Sequence, residues 1–168
     1  AAGISFAKIE AALGADTPII RAMPNTPLML GVGATQLVRN AAASEKQLAA
    51  VRSLFDEMGV TTVFDKEDMI NEAIPYAGSA PAYIYAYADA MVQSAKKHGI
   101  DEQDALQMFC QTMIGAAKML MQGEKTPAEL ICAVCSLAGM QVLEERDLYG
   151  MVAEACDKCT ARAYELGK

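Results

Sequence analysis

A long run of residues without charge, set inside a helical pattern, constrains the fold of this chain more than any other feature. Thirteen uncharged residues separate Asp104 from Lys118. A helix that is apolar nearly all round must be buried on nearly all of its sides. We therefore predict an intimate homodimer, in which helices of one subunit pack between those of its partner. A compact helical monomer that leaves a few methionines exposed is the alternative.

Start and stop signals divide the region from Glu67 onward into helices only. Proline is favoured in the first turn of a helix, and glycine ends one. Thr126 and Glu129 form a capping box, with a proline at the first helical position between them. The predicted helices are Pro81–His98, Asp101–Gln122, one that begins at Thr126, Leu137–Asp147 and Gly150–Leu166.

The first 66 residues alternate instead between strand-like and helix-like segments. The predicted elements are a helix over Ser5–Leu13, strands over Thr17–Ala22 and Gly33–Val38, a helix from Ser44 to Gly59 and a strand over Val60–Phe64. This order is typical of the second half of an open α/β sheet. The sequence thus predicts an α/β part over residues 1–66, followed by an all-α domain over residues 67–168.

Composition and charge exclude several classes of function. The formal net charge of −7 argues against a nucleic-acid partner, since phosphate contacts need a basic face. The longest uncharged stretch, between Arg21 and Arg39, is 17 residues broken by two prolines and two glycines, so no membrane span is expected. The start of the chain lacks the pattern of a secretory signal. We expect an acidic, soluble, cytoplasmic protein.

Two cysteine pairs match the spacing of a zinc site. Cys132 and Cys135 form the first pair, and Cys156 and Cys159 the second, with twenty residues between the pairs. Each pair lies within a helical pattern, whereas zinc ribbons present their thiolates from tight glycine-containing turns. Cysteines three apart on a helix share a face, which suits core packing. We expect reduced thiols and no metal, with structural zinc as the alternative.

His98, the only histidine, lies at a helix end, which removes a Ser-His-Asp or Cys-His hydrolase from consideration.

Two loops remain as candidate functional segments. Residues 21–27 follow a predicted strand, and ligands of open α/β sheets lie at the carboxyl ends of strands. An ordinary proline-rich turn explains the same residues equally well. Residues 78–82 join the α/β part to the first long helix, and here a helix start near Ser79 is favoured.

The strings AAGIS, RAMPNTP, GSAPAYIY, GAAKML, ELICAVCS and AGMQVLEE occur in this order along the chain. Together they resemble the pyrroline-5-carboxylate reductase family over essentially the whole sequence. The resemblance implies hydride transfer from NADPH (or NADH) to the C=N bond of a cyclic imine, which gives proline. It also implies that residues 1–66 end a Rossmann-type dinucleotide-binding domain. Residues 67–168 would form a helical dimerisation and substrate domain, similar to the carboxy-terminal domain of 6-phosphogluconate dehydrogenase.

The resemblance also assigns candidate site residues. Met23, Pro24 and Asn25 match the loop that the family places against the nicotinamide end of the cofactor. Glu124 matches an acidic position near the ring nitrogen of the substrate, and Ser136 matches the serine that opens the substrate loop. The partners implied are a small-molecule substrate and a homodimer or a larger homo-oligomer built from dimers. A non-catalytic helical dimerisation module and a related NAD(P)-dependent dehydrogenase are the alternatives.

Three departures from the family pattern lead to a prediction about the isolated chain. The first strand and Gly-rich turn of the family are absent, Ser136 runs directly into Leu137 without Pro-Gly-Gly-Thr-Thr, and Ala80 replaces a glycine. We expect the 168-residue chain by itself to be catalytically silent, because these segments would hold the dinucleotide and the substrate carboxylate. Proline-dependent reduction of NADP by the purified chain is the measurement, and robust turnover would contradict the expectation.

Overall fold

The computed structural model describes residues 3–134 and 137–167 of the chain. These residues form two compact units. The first unit combines Ala1–Pro81 with Val152–Lys168, and the second consists of Ala82–Met151. Because the final helix returns to the first unit, segments far apart in sequence can build one site there.

The first unit is built on a three-stranded sheet. Its elements are α1 (Phe6–Leu13), β1 (Ile20–Met23), a 3-10 helix (Thr26–Leu30), β2 (Gly33–Arg39), α2 (Glu45–Asp56), β3 (Gly59–Val63), α3 (Met69–Ala73) and a π-helix (Ile74–Gly78). The strand order is β1-β2-β3, with β1 antiparallel and β3 parallel to the central β2. The predicted order of helices and strands in the α/β part is confirmed.

Local chemistry explains where α2 begins. The hydroxyl of Ser44 accepts the backbone N–H of Gln47 at 3.3 Å, and the Gln47 side chain accepts the N–H of Ser44 at 2.8 Å. This reciprocal capping box pairs two backbone donors that the first turn leaves free. From there Leu48 points into the core, where it is buried.

A close approach of two glycines joins β3 to β2. Gly59 has a φ of 142°, which L-residues rarely adopt, and a Cβ there would collide with the carbonyl oxygen of Gly33. Only glycine combines that conformation with such an approach. The most deeply buried side chains of the sheet are Leu37 and Val38 of the central strand β2, and Ile70 of α3 is buried as well.

Asn40, at the end of β2, is buried and fully hydrogen-bonded. Its Oδ1 accepts the N–H groups of Ile19 at 2.9 Å and Ala43 at 3.1 Å. Its Nδ2 donates to Glu10 Oε1 and to the carbonyl of Thr17, both at 3.0 Å. One side chain thus joins three separate segments of the α/β part. Its polar atoms have hydrogen-bond partners, as buried polar groups require.

The remaining elements are helices. They are α4 (Ala80–Lys97), α5 (Glu102–Gln122), α6 (Pro127–Val134), α7 (Leu137–Glu145) and α8 (Leu148–Gly167). The starts predicted at Asp101 and Thr126 are confirmed, since both side chains accept backbone N–H groups of the first turn. Among the residues that the structure describes, no helix combines the length and the apolarity that crossing a membrane requires.

The second unit leaves much of its apolar surface uncovered. Tyr87 of α4 packs edge-on against Phe109 of α5, with ring centroids 5.5 Å apart. Elsewhere large apolar side chains stand in solvent, among them Met121 at 78% exposure and Val134 at 81%. Many exposed large apolar side chains on one unit are typical of an interface.

Two short elements of the first unit were not predicted from the sequence. The segment after Pro24 forms a 3-10 helix, and residues 74–78 form a π-helix, after which α4 begins at Ala80, in agreement with the start predicted near Ser79. Pro75 contributes to the second irregularity, because it has no backbone N–H with which to continue the ladder of α3. Both elements lie beside the cavity described next.

Candidate functional site

The first unit contains a cavity of about 400 Å³ at the carboxyl end of β1. This volume falls within the range of roughly 300–1,000 Å³ common for small-molecule sites. Its walls come from the loop after β1, the end of the π-helix and one face of α8. The lining residues are Met23, Pro24, Asn25 and Thr26, then Ile74, Gly78 and Ser79, and finally Cys159, Arg162, Ala163 and Leu166.

The loop after β1 is shaped by its two prolines. Met23 is the last residue that pairs with β2, since Pro24 has no N–H with which to continue the ladder. Pro27 then lies in the first turn of the 3-10 helix, where a fixed φ is favourable. The loop is therefore held in one conformation, which suits a wall that must stay at a set distance from a ligand.

The side chain of Asn25 spans from this loop to two other segments. Its Oδ1 accepts the N–H of Ala34 at 2.9 Å, and its Nδ2 donates to the carbonyl of Ala77 at 3.2 Å. The first bond closes the loop onto β2. The second bond ties the loop to the π-helix.

The π-helix presents Ser79 to the opposite wall. The Ser79 N–H donates to the carbonyl of Ile74 at 2.8 Å, which closes the wide turn. Its hydroxyl oxygen lies 3.1 Å from the sulfur of Cys159, close enough for a hydrogen bond in either direction. This contact joins the π-helix to α8 along the edge of the cavity.

The face contributed by α8 was not predicted to belong to the site. Cys159, Ala163 and Leu166 follow helical spacing and line one side of the cavity, with Arg162 beside them. Arg162 is paired with Glu165 at 2.7 Å. The only signal in the sequence was this periodicity, which says that the residues share a face but not what the face contacts.

Tyr164 anchors α8 to α3. Its hydroxyl donates to Glu72 Oε1 at 2.7 Å. That hydrogen bond, together with partial desolvation and the carboxylate charge, raises the pKa of Tyr164 from its ordinary value of 10.0 to about 12. The protonated phenol is the form that keeps α8 in contact with α3.

Arg21 belongs to the same RAMPNTP motif as the loop, but it forms an ion pair instead of lining the cavity. Its guanidinium lies 2.5 Å from Glu67 Oε1, and its side chain is only 9% exposed. The same carboxylate oxygen accepts the N–H of Phe6 at 2.6 Å. Arg21 thus helps to hold α1 and β1 to the segment before α3.

The predicted site residues fall into three groups. Met23, Pro24 and Asn25 lie together in the cavity wall. Glu124 belongs to the second unit, where it is exposed in the turn between α5 and α6. Ser136 lies outside the described residues.

The cysteine pairs do not form a metal centre among the residues that the structure describes. Within those residues, no group of three or more His, Cys, Asp or Glu side chains could hold a metal ion. Cys132 is exposed, Cys156 is buried and Cys159 lines the cavity. Because Cys135 lies outside the described residues, the alternative of a zinc site stays a prediction.

An α/β sheet that continues into a helical region, with a cavity at the end of a strand, is typical of dinucleotide-dependent enzymes. A family model described as pyrroline-5-carboxylate reductase dimerisation matches residues 67–166. The chain therefore belongs to the pyrroline-5-carboxylate reductase family, as its motifs indicated.

Individual members of the family are similar to this chain over nearly its whole length. A pyrroline-5-carboxylate reductase of Escherichia coli (strain K12) is 35% identical over 173 residues, covering 100% of this chain and 64% of the relative. A crystal structure of the Streptococcus pyogenes enzyme superposes with a TM-score of 0.90 at 34% identity, covering 96% of this chain and 64% of that one. A Coxiella burnetii structure gives 0.93 at 32% identity, covering 99% and 63%. The chain thus spans about 64% of the length of such relatives.

The anchor of α8 gives a pH-dependent prediction. Because folding raises the pKa of Tyr164, the bond to Glu72 stabilises the fold fully below pH 10.0, and this stabilisation is lost as the pH rises towards about 12. We expect Tyr164→Phe to lower the free energy of unfolding near neutral pH and to flatten its decline over that range. Denaturant unfolding at a series of pH values measures both effects.

Tyr76→Phe is the matched control, because its side chain is 73% exposed and lies in the same unit. Equal slopes for the wild type and Tyr164→Phe across the alkaline range would contradict the role of this anchor.

Proposed function

We propose that the protein to which these residues belong reduces the C=N bond of 1-pyrroline-5-carboxylate to give L-proline, with NADPH or NADH as the hydride donor. The match of the dimerisation family over residues 67–166 carries the proposal. The cavity walled by the Met23–Asn25 loop supports it, because this is the segment that the family resemblance assigns to the nicotinamide end of the cofactor.

The chemistry of the cavity walls supports a ligand with an apolar ring. Met23, Pro24, Ile74 and Leu166 offer mostly apolar surface, and a hydroxyl and a guanidinium lie at the edge. Mostly apolar walls with a few polar groups at the edge are typical of small-molecule sites. The 168 residues contain no G-x-G-x-x-G turn, so the proposal for this chain concerns the nicotinamide end and not the diphosphate.

The proposed reaction demands little from protein side chains beyond alignment. When bound, the reduced nicotinamide supplies a hydride to the imine carbon, and the electron pair of the C=N bond moves to nitrogen. A protonated imine is already an electrophile, so holding the two rings in register is the main requirement. In this proposal Met23 and Pro24 set the face against which the ring stacks.

Two residues are proposed to face the substrate. Glu124 would lie near the ring nitrogen, where a carboxylate can stabilise the protonated imine. Ser136 would open the loop that receives the substrate carboxylate. Both proposals rest on the matched motifs of the family.

We further propose that residues 67–168 form a homodimerisation and substrate domain, and that residues 1–66 end the dinucleotide-binding domain. The exposed apolar side chains of the second unit support the homodimer, and larger assemblies built from dimers extend the same proposal. The odd number of cysteines, five in 168 residues, supports reduced thiols and a reducing compartment such as the cytoplasm.

Activity tests the proposed reaction directly. The full polypeptide that carries these residues should oxidise NADPH or NADH when given 1-pyrroline-5-carboxylate, and proline should accumulate in equal amount. Glu124→Gln should lower kcat/KM for the imine about tenfold or more, since the protonated imine loses its carboxylate partner. Glu144→Gln, an exposed carboxylate on α7, is the control and should leave the rate unchanged. Absence of turnover in the wild type would refute the reaction and favour a non-catalytic assembly module.

The homodimer has its own measurement. Analytical ultracentrifugation of the 168-residue chain at micromolar concentration should give a dimer or a multiple of it. Met121→Glu would place a charge among apolar side chains that the dimer buries, so we expect it to shift the equilibrium towards monomer. Lys46→Glu, on the exposed side of α2 in the first unit, should leave the mass unchanged. A well-folded wild-type monomer at that concentration would overturn the proposed dimer.

A further inference from the structure

The side chain of Asn25 links two walls of the cavity that are 52 residues apart in sequence. We propose that Asn25 is a positioning residue: its amide fixes the spacing between the Met23–Thr26 wall and the π-helical wall, and it acts on the reaction through that spacing. This inference rests on the proposed reductase function. It assigns the contact with the nicotinamide ring to Met23 and Pro24.

The first hydrogen bond of the Asn25 side chain takes the place of a backbone hydrogen bond between β1 and β2. In the β1–β2 register Met23 pairs with Gln36, and continuing that register by two residues sets Asn25 opposite Ala34. Pro24 ends the backbone ladder before this point. The Oδ1 of Asn25 accepts the Ala34 N–H at 2.9 Å, so the side chain continues the pairing that the backbone has stopped.

The second hydrogen bond takes the place of a backbone hydrogen bond within a helix. Ala77 is buried, with 8% of its surface exposed, so its carbonyl needs a partner. In α-helical geometry that partner would be the N–H of the residue four positions later, which is Pro81 and has none. The Nδ2 of Asn25 donates to this carbonyl at 3.2 Å. The sequence on each side therefore leaves one group open, and the two groups are of opposite hydrogen-bonding type.

An amide is the side chain that meets both needs at once. The Asn25 side chain offers an acceptor and a donor on one short, rigid group, so both bonds together fix its orientation. Aspartate would keep the acceptor for Ala34 but would turn a carboxylate oxygen towards the Ala77 carbonyl. The loop would then stay closed on β2 while its tie to the π-helix is lost.

The test compares Asn25→Asp, Pro81→Ala and the double variant in the full polypeptide. Pro81→Ala supplies a backbone N–H for the Ala77 carbonyl, so the double variant satisfies that carbonyl without restoring the tie between the walls. Asn40→Asp is the matched control, because it also removes a buried amide donor from this unit but lies outside the cavity. We expect Asn40→Asp to lower stability with kcat unchanged.

For Asn25→Asp we expect kcat to fall about tenfold or more while the KM for NADPH changes less than about threefold, because misalignment penalises hydride transfer more than binding. The double variant should regain stability and keep the low kcat. A purely structural role would instead return kcat together with stability. That result, or a wild-type kcat in Asn25→Asp, would overturn the proposal.

Hydrogen exchange decides the question independently of turnover. Amides of residues 26–33 should exchange faster in Asn25→Asp and in the double variant than in the wild type, since the loop has lost one of its two ties. Unchanged exchange in both would refute the positioning role. If the wild type proves inactive while exchange behaves as expected, the proposed reaction fails and the tie between the walls stands.

Discussion

The cavity of the first unit depends on the pairing of backbone groups where proline interrupts regular structure. Pro24 ends the β1–β2 ladder, and Pro81 deprives the π-helix of a donor. A buried N–H or carbonyl without a partner costs free energy comparable to a lost hydrogen bond. Asn25 joins the two interrupted elements through one amide. Segments distant in sequence thus supply each other's hydrogen-bonding partners in the irregular backbone around the cavity.

The same logic extends through the first unit. Asn40 joins three segments at the far end of the sheet, Glu67 accepts from both Arg21 and Phe6, and Tyr164 holds α8 to α3. Several of these side chains connect elements that no ladder joins, while the bond of Asn40 to Ile19 extends the β1–β2 pairing. Among the described residues, most of the buried apolar side chains lie in this unit, and these polar bonds add specific connections between its segments.

The second unit follows a different principle. Helices α4 and α5 are long and α6 and α7 are short, and apolar side chains of this unit extend into solvent in the single chain. Covering side chains such as Met121 and Val134 with another surface would stabilise the assembly, because it removes apolar area from water. Membership of a dimerisation family is consistent with that need. The proposed enzyme would therefore combine a wall fixed by hydrogen bonds with helices fixed by association.

Helix ends were determined by the sequence itself. Ser44, Asp101 and Thr126 each satisfy donors within three residues, so capping chemistry is readable from local spacing. The motif likewise marked the Met23–Asn25 loop as a candidate, and these residues line the cavity, while their contact with a cofactor stays a prediction. By contrast, the π-helix at residues 74–78 and the face of α8 that lines the cavity were decided by tertiary structure. Their partners are remote: Ala77 is bonded to Asn25 and Ser79 contacts Cys159, 52 and 80 residues away. Local pattern cannot encode which of many distant groups will complete a broken ladder, because that choice is made only when the chain has folded.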